Sequence, residues 1–172
     1  MVSQKIQKAL NEQVTWELYS SYLYLSMSAY FKSINLNGCA TWMRVQAQEE
    51  LIHAVKFYDF INARGGRVLL QTVKAPPTEW ASPLKVFEET LKHERVVTSR
   101  INNLASLAVQ EKDHATHIFL QWFVTEQVEE EESVNDVIQK LKLVSDATGG
   151  LFMVDQELGK RVFTMPAAPA GG

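Results

Sequence analysis

A chain of 172 residues is long enough for one domain with a substantial core. Apolar residues make up 46% and charged residues 22%, ordinary for a soluble globular protein, and no apolar run is long enough to cross a bilayer. The net charge of −3 comes without any basic cluster, which argues against nucleic acid, and several of the 20 acidic residues fall in apolar registers, which points to cations. The one cysteine, Cys39, excludes an intrachain disulfide and suits a reducing compartment. Residues 1–5 lead directly into an amphipathic pattern without a signal-type apolar segment, so the expected location is the cytoplasm.

The first helical pattern runs from about Ser3, an N-cap residue, to Lys32. Its stripe reads Ile6, Leu10, Gln13, Glu17, Ser20, Tyr24, Met27 and Phe31, apolar at both ends and polar in the middle. The aromatic residues around Glu17 (Trp16, Tyr19, Tyr22, Tyr24) imply burial on more than one face, an intersubunit face included. A short polar loop over 33–38 precedes a second helix, from about Cys39 to Arg64, stopped by Gly65-Gly66. Its stripe, Cys39, Met43, Gln46, Glu50, His53, Phe57 and Phe60, repeats the same design. The short loop makes the two helices antiparallel neighbours and brings their polar middles to one height.

Residues 67–82 cannot be a helix, because Pro76-Pro77 forbids it. Extended, this stretch reaches roughly 50 Å, about one helix length. It is expected to cross from one end of a bundle to the other and to make helices two and three parallel. Ser82-Pro83 starts a third helix that runs to about Glu111, with Phe87, Glu94, Val97, Ile101, Leu104 and Ala108 on its stripe. After a break at 112–114 a fourth runs from about Ala115 to Ala147, with Leu120, Phe123, Gln127, Glu130, Val134, Val137 and Leu141 inward. A shorter fifth helix, Leu151 to about Phe163, is followed by a Pro/Ala/Gly tail. The fold class is therefore all-α, with one domain over 1–164 and a flexible tail over 165–172.

Glu50 and His53 are three apart and share a helix face, so they can hold one ion together. The pair alone is a weak signal. However, Glu17 precedes Glu50 by 33 residues, Glu94 precedes Gln127 by 33, and Glu130 follows Gln127 at the Glu50–His53 spacing. One constant offset of 77 carries Glu17, Glu49, Glu50 and His53 onto Glu94, Glu126, Gln127 and Glu130, the mark of two similar helical hairpins. Packed as a bundle, Glu17, Glu50, His53, Glu94 and Glu130 converge. Such a cluster is an electrostatic liability that a pair of divalent ions offsets, and carboxylates with one imidazole suit iron or manganese better than zinc.

Within the acidic run 129–132, Glu130 faces inward, Glu131 and Glu132 read as solvated, and Glu126, Glu129 and Glu49 outline a looser third cation site. His93, His114 and His117 read as surface residues rather than ligands. Tyr24 and Trp122 read either as core aromatics or as one-electron donors beside the metals.

On Glu17, Tyr24, Glu49-Glu50-x-x-His53, Glu94, Trp122, Glu126-Gln127-x-x-Glu130, the long crossover and the short fifth helix, the sequence resembles the bacterial-type non-haem ferritins. The resemblance implies a ferritin-like four-helix bundle and a ferroxidase centre. In that centre Glu17, Glu50 and His53 hold one iron, Glu50 bridges, and Glu94 and Glu130 hold the second. Gln127 sits near the oxidant, while Glu49, Glu126, Glu129 and Glu130 form a third iron site. Tyr24 and Trp122 match redox-active aromatics. It further implies a homo-oligomeric shell of two dozen subunits, with helix five at the four-fold axes, that oxidises ferrous iron with dioxygen or hydrogen peroxide and stores ferric mineral. Unlike the related bacterioferritins, helix four carries Gln127-x-x-Glu130 rather than Glu-x-x-His and helix two carries Ile52 where a haem methionine stands, so no haem is expected. The start of helix four offers His117 and Leu120 where animal ferritins place pore carboxylates, so another entry pore is expected. The alternatives are a di-iron oxygenase or peroxidase with another substrate, and a structural bundle whose buried carboxylates pair with arginine.

Overall fold

The computed structural model describes residues 2–145 and 147–165. Its helices are α1 (Gln4–Ser33), α2 (Asn37–Ala63), α3 (Pro83–Gln110), α4 (His114–Leu143) and α5 (Gly150–Leu158), and no strand occurs among the described residues. Three starts are capped by a side chain that accepts from an orphan helix N–H: Ser3 from Ile6, Ser82 from Lys85 and Asp113 from Thr116. The end of α2 uses Gly65 at φ 69°, and the Gly66 N–H closes onto the Ile61 carbonyl.

Cross-helix pairs establish the topology. Ser28 and Ser21 of α1 donate to the Ala40 and Ala47 carbonyls of α2, so sequence rises on one helix as it falls on the other. Arg100 pairs with Gln13 and Thr90 with Met27, making α3 antiparallel to α1. α2 and α3 are therefore parallel, as the crossover requires. That crossover lies along α1: Asn11 donates to the Arg67 carbonyl and accepts from the Leu69 N–H, Ser26 donates to the Pro77 carbonyl, and Tyr30 to that of Trp80. The structure thus places the 67–82 stretch as a strap against the bundle.

Two apolar clusters fill the bundle. One gathers Tyr24, Met27, Phe31, Met43, Phe87 and Val134; the other gathers Ile6, Leu10, Phe57, Ile61, Ile101 and Phe123. Between them, in chain register, lie Glu17, Glu50, His53, Glu94, Gln127 and Glu130, all buried. The apolar ends form the bundle, and the middle is left to polar groups.

Two boundaries differ from the sequence reading. α4 stops at Leu143 rather than Ala147, because a turn intervenes and Gly149, at φ 80°, turns the chain into α5. α5 stops at Leu158 rather than near Phe163. Gly159, a poor helix former, closes it, and the next turn carries Arg161 back to α2. α5 packs on α2 and α4. Residues 166–172 of the expected tail lie outside the described residues, as does Asp146. No described helix is long and apolar enough to cross a membrane.

Candidate metal centre

α1 and α2 bring Glu17, Glu50 and His53 together so that one ligand atom from each lies within 4.8 Å of the others. Glu17 Oε1 accepts from Gln13 Nε2 at 2.8 Å, but its Oε2 has no partner. Glu50 Oε1 has none either, and both ring nitrogens of His53 lack a hydrogen bond. His53 Nδ1 stands 3.4 Å from Glu50 Oε2 without the alignment of one. Four fully buried polar atoms left unmatched at one point would each cost about 1–3 kcal/mol. A cation with free coordination positions matches Glu17 Oε2, Glu50 Oε1 and one His53 nitrogen, so the donor set fits a metal, and its hard oxygens with one imidazole fit iron or manganese.

A second group spans α2 and α4: one ligand atom each from His53, Glu126 and Glu130 lies within 4.8 Å of the others. His53 Nε2 is 4.0 Å from Glu126 Oε1, so the imidazole presents one nitrogen towards each group. Glu130 Oε2 accepts from Gln46 Nε2. Glu94, from α3, is satisfied within the protein: Tyr24 donates its hydroxyl to Oε1, and Gln127 Nε2 donates to Oε2 at 3.2 Å. The Trp122 ring meets that of His53 edge-on at 5.4 Å, with Lys56 Nζ over the Trp122 ring at 4.1 Å.

Burial dominates the electrostatics. It lifts the carboxyls of Glu17, Glu50 and Glu130 well above the ordinary range; Glu50 adds to the rise at Glu17, and Glu94 adds to it at both Glu50 and Glu130. Glu94 is raised by burial too, against the lowering effect of its bonds from Tyr24 and Gln127. Glu49 and Glu126 are raised for the same first reason. Burial also lifts the Tyr24 phenol, helped by the facing Glu94 carboxylate. Each of these shifts favours the protonated form of the metal-free layer, and a divalent ion would compete with those protons.

Several residues stand differently from the sequence reading. Glu94 belongs to neither three-residue group, and Gln127 turns its Nε2 to Glu94 and Thr98. Of the expected third set, Glu126 and Glu130 converge, Glu129 is exposed, and Glu49 is held by Arg161. His93 is not a free surface histidine. It bonds Ser20 at 2.8 Å and packs against Trp16, Tyr19 and Tyr24, and burial drops its pKa to about 4. Leu120 is wholly buried in the core and therefore does not line a pore.

Gln13, Gln46 and Arg161 were missed as site residues. The first two carried a readable signal: they are 33 residues apart, like Glu17 and Glu50, each one helical turn earlier. Arg161 carried none: it lies within the stretch expected as helix five, and only the stop of α5 at Leu158 frees it to reach α2.

Comparison with known proteins agrees with this geometry. Residues 7–144 match the family model described as a ferritin-like domain. The chain is 45% identical over 161 residues to a bacterial non-haem ferritin of Bacteroides fragilis, covering 94% of this chain and 100% of the relative. It is 41% identical over 163 residues to one from Staphylococcus epidermidis, covering 95% and 98%. Among solved structures, an open-pore ferritin from Archaeoglobus fulgidus superposes with a TM-score of 0.93 at 53% identity, over 94% of this chain and 100% of that one. An engineered closed form of the A. fulgidus ferritin gives 0.94 at 54%, over 95% and 100%.

Proposed function

Since this chain belongs to the bacterial non-haem ferritin family, we propose that it oxidises ferrous iron at the buried layer and stores the ferric product inside a 24-subunit shell. The observation that carries the reading is the set of four orphaned atoms on Glu17, Glu50 and His53. Protein interiors match such atoms, and a bound cation would match those that face the centre.

In this reading Glu17, Glu50 and His53 bind one ferrous ion. Glu50 reaches towards a second, which Glu94 and Glu130 bind once Tyr24 and Gln127 share Glu94 with it. Each ion gives up one electron, and dioxygen takes two electrons and two protons to become hydrogen peroxide; peroxide itself can serve as the next oxidant. Any protons that the raised carboxyls hold before loading leave as iron binds. Gln127 and Tyr24 keep Glu94 in place, and Tyr24 and Trp122 stand close enough to supply single electrons. The second group, with Glu49, Glu126, Glu129 and Glu130 around it, takes a third ion on the way to the cavity. A reducing cytoplasm, which keeps iron ferrous, fits this activity and the free, buried Cys39.

The test is an aerobic ferrous titration of the metal-free protein, with iron counted after gel filtration. Retention far beyond the few ions the layer can ligate, co-eluting with a large assembly, supports storage. Saturation at about two or three ions per chain on a small oligomer favours the other reading, a di-iron oxygenase or peroxidase. Glu50→Ala and His53→Ala should each slow iron oxidation by about tenfold or more; wild-type rates in both would defeat the assignment.

A further inference from the structure

One side chain from beyond α5 reaches the edge of the metal layer. Arg161 Nη1 donates to Gln46 Oε1 at 2.8 Å and Nη2 to Glu49 Oε2 at 2.5 Å. Its guanidinium carbon lies 4.4 Å from the centre of the Trp42 ring. A planar fork held by two acceptors and an aromatic face is a built seat for arginine, one that lysine cannot fill in the same way. Gln46, in turn, donates to Glu130. Arg161 is therefore one hydrogen bond from the second metal group on one side, through Gln46 and Glu130, and on the other it holds the Glu49 carboxylate of α2. The Glu49 carboxylate adds to the rise in the Glu126 carboxyl, which burial leads.

We propose that Arg161 is a tethered cation standing in for metal charge at this edge. A divalent ion entering between His53, Glu126 and Glu130 recruits Glu49 and expels the guanidinium. Arg161 is thus a positioning residue. It keeps the outer cation position weak, and it couples occupancy of that position to docking of the segment after α5. The coupling is reciprocal: metal loosens the segment, and a docked segment opposes metal. This rests on reading the layer as a metal centre, and the test separates the two.

The experiment is anaerobic calorimetric titration of the full chain with Zn(II), which has no redox chemistry, on wild type and on Arg161→Gln, Arg161→Lys and Glu49→Gln. It is paired with hydrogen exchange of the Gly159, Lys160 and Arg161 amides, which bond back to Asp155, Glu157 and Leu158. The expected result is a tight class of sites common to wild type, R161Q and R161K, plus a weaker class. R161Q should tighten the weaker class by about tenfold, R161K by less, and Glu49→Gln should weaken it. Saturating Zn(II) should speed exchange at the three amides in wild type. A weaker class unchanged in R161Q, or exchange in wild type indifferent to Zn(II), overturns the proposal while an intact tight class leaves the metal centre standing. Absence of any tight class in wild type overturns both.

Discussion

Tyr24 and Gln127 do for Glu94 what no residue does for Glu17, Glu50 and His53: they supply hydrogen bonds to a buried acceptor. Tyr24→Phe should therefore destabilise the metal-free protein by about 1–3 kcal/mol, since it leaves Glu94 Oε1 buried without a partner. Zn(II) should recover much of that loss; chemical denaturation with and without Zn(II) checks it, and an equal loss in both forms would show that Glu94 is not a ligand. The raised carboxyls give a second expectation, with a definite sign. A carboxyl whose folded pKa is raised favours the fold most below its unfolded value, and that contribution is lost as pH rises through the folded value. For Glu17, Glu50, Glu94 and Glu130 the window opens near the ordinary value of 4.5 and extends upward. Melting of the metal-free protein between about pH 5 and pH 8 should show less stability towards the alkaline side than Glu17→Gln or Glu130→Gln shows, and Zn(II) should flatten the difference. A wild type as insensitive to pH as these variants would mean that the carboxyls are ionised already. The inward positions of this layer were legible because a charge in an apolar stripe stands out against its neighbours. Its satisfaction was not legible, because Gln127 as a ligand and Gln127 as a donor to Glu94 have the same spacing. The exposure of Glu129 was not legible for a related reason: a run of four glutamates turns around the helix, and only the packing of α4 decides which face is outside.

At the scale of elements, α5 is joined to the bundle at one tight point. Asp155 accepts from the Cys39 N–H at the start of α2, at 2.8 Å, and its own backbone oxygen presses on Gly38. A Cβ at position 38 would fall 1.6 Å from that oxygen, a distance no relaxation of side chains relieves. Gly38→Ala should push α5 off α2 and cost about 1–3 kcal/mol or more, with faster hydrogen exchange over 150–158 and an intact four-helix core. Unchanged exchange there would show that α2 and α5 can part without loss. The lengths of α1 and α3 and the antiparallel hairpins were readable from stripes, caps and short loops. The end of α5 was not: its stop depends on Gly159 lying against Gly38, a contact 121 residues distant in sequence. The crossover was legible as non-helical from its prolines, but its anchoring was not, since Asn11 reads as an ordinary polar helix residue until its amide is seen clasping Arg67 and Leu69.

At the scale of the whole molecule, a single chain leaves apolar side chains uncovered in places its own fold cannot reach. Tyr22 and Leu25, three apart on the outer face of α1, are 49% and 48% exposed. Leu69 and Leu70 on the crossover are exposed as well, as are Phe152 and Met153 on α5. Isolated apolar residues on a surface need no explanation, but a paired face on a long helix is what a homo-oligomer covers. The shell reading therefore makes a demand separate from the chemistry. Tyr22→Glu with Leu25→Glu should break assembly into small species, because burying two carboxylates without partners is costly on each copy of a repeated contact. Neither residue touches the metal layer, so the tight Zn(II) sites and the first burst of ferrous oxidation should persist. What should be lost is retention of iron beyond the few ions held by ligands. Sedimentation of the variant, followed by the same iron titration, reads both quantities in one preparation. A variant that assembles normally would place the subunit contacts elsewhere. A small species that still accumulates iron would detach storage from the shell, whereas a small species that oxidises iron without keeping it would divide the two activities between the bundle and the assembly.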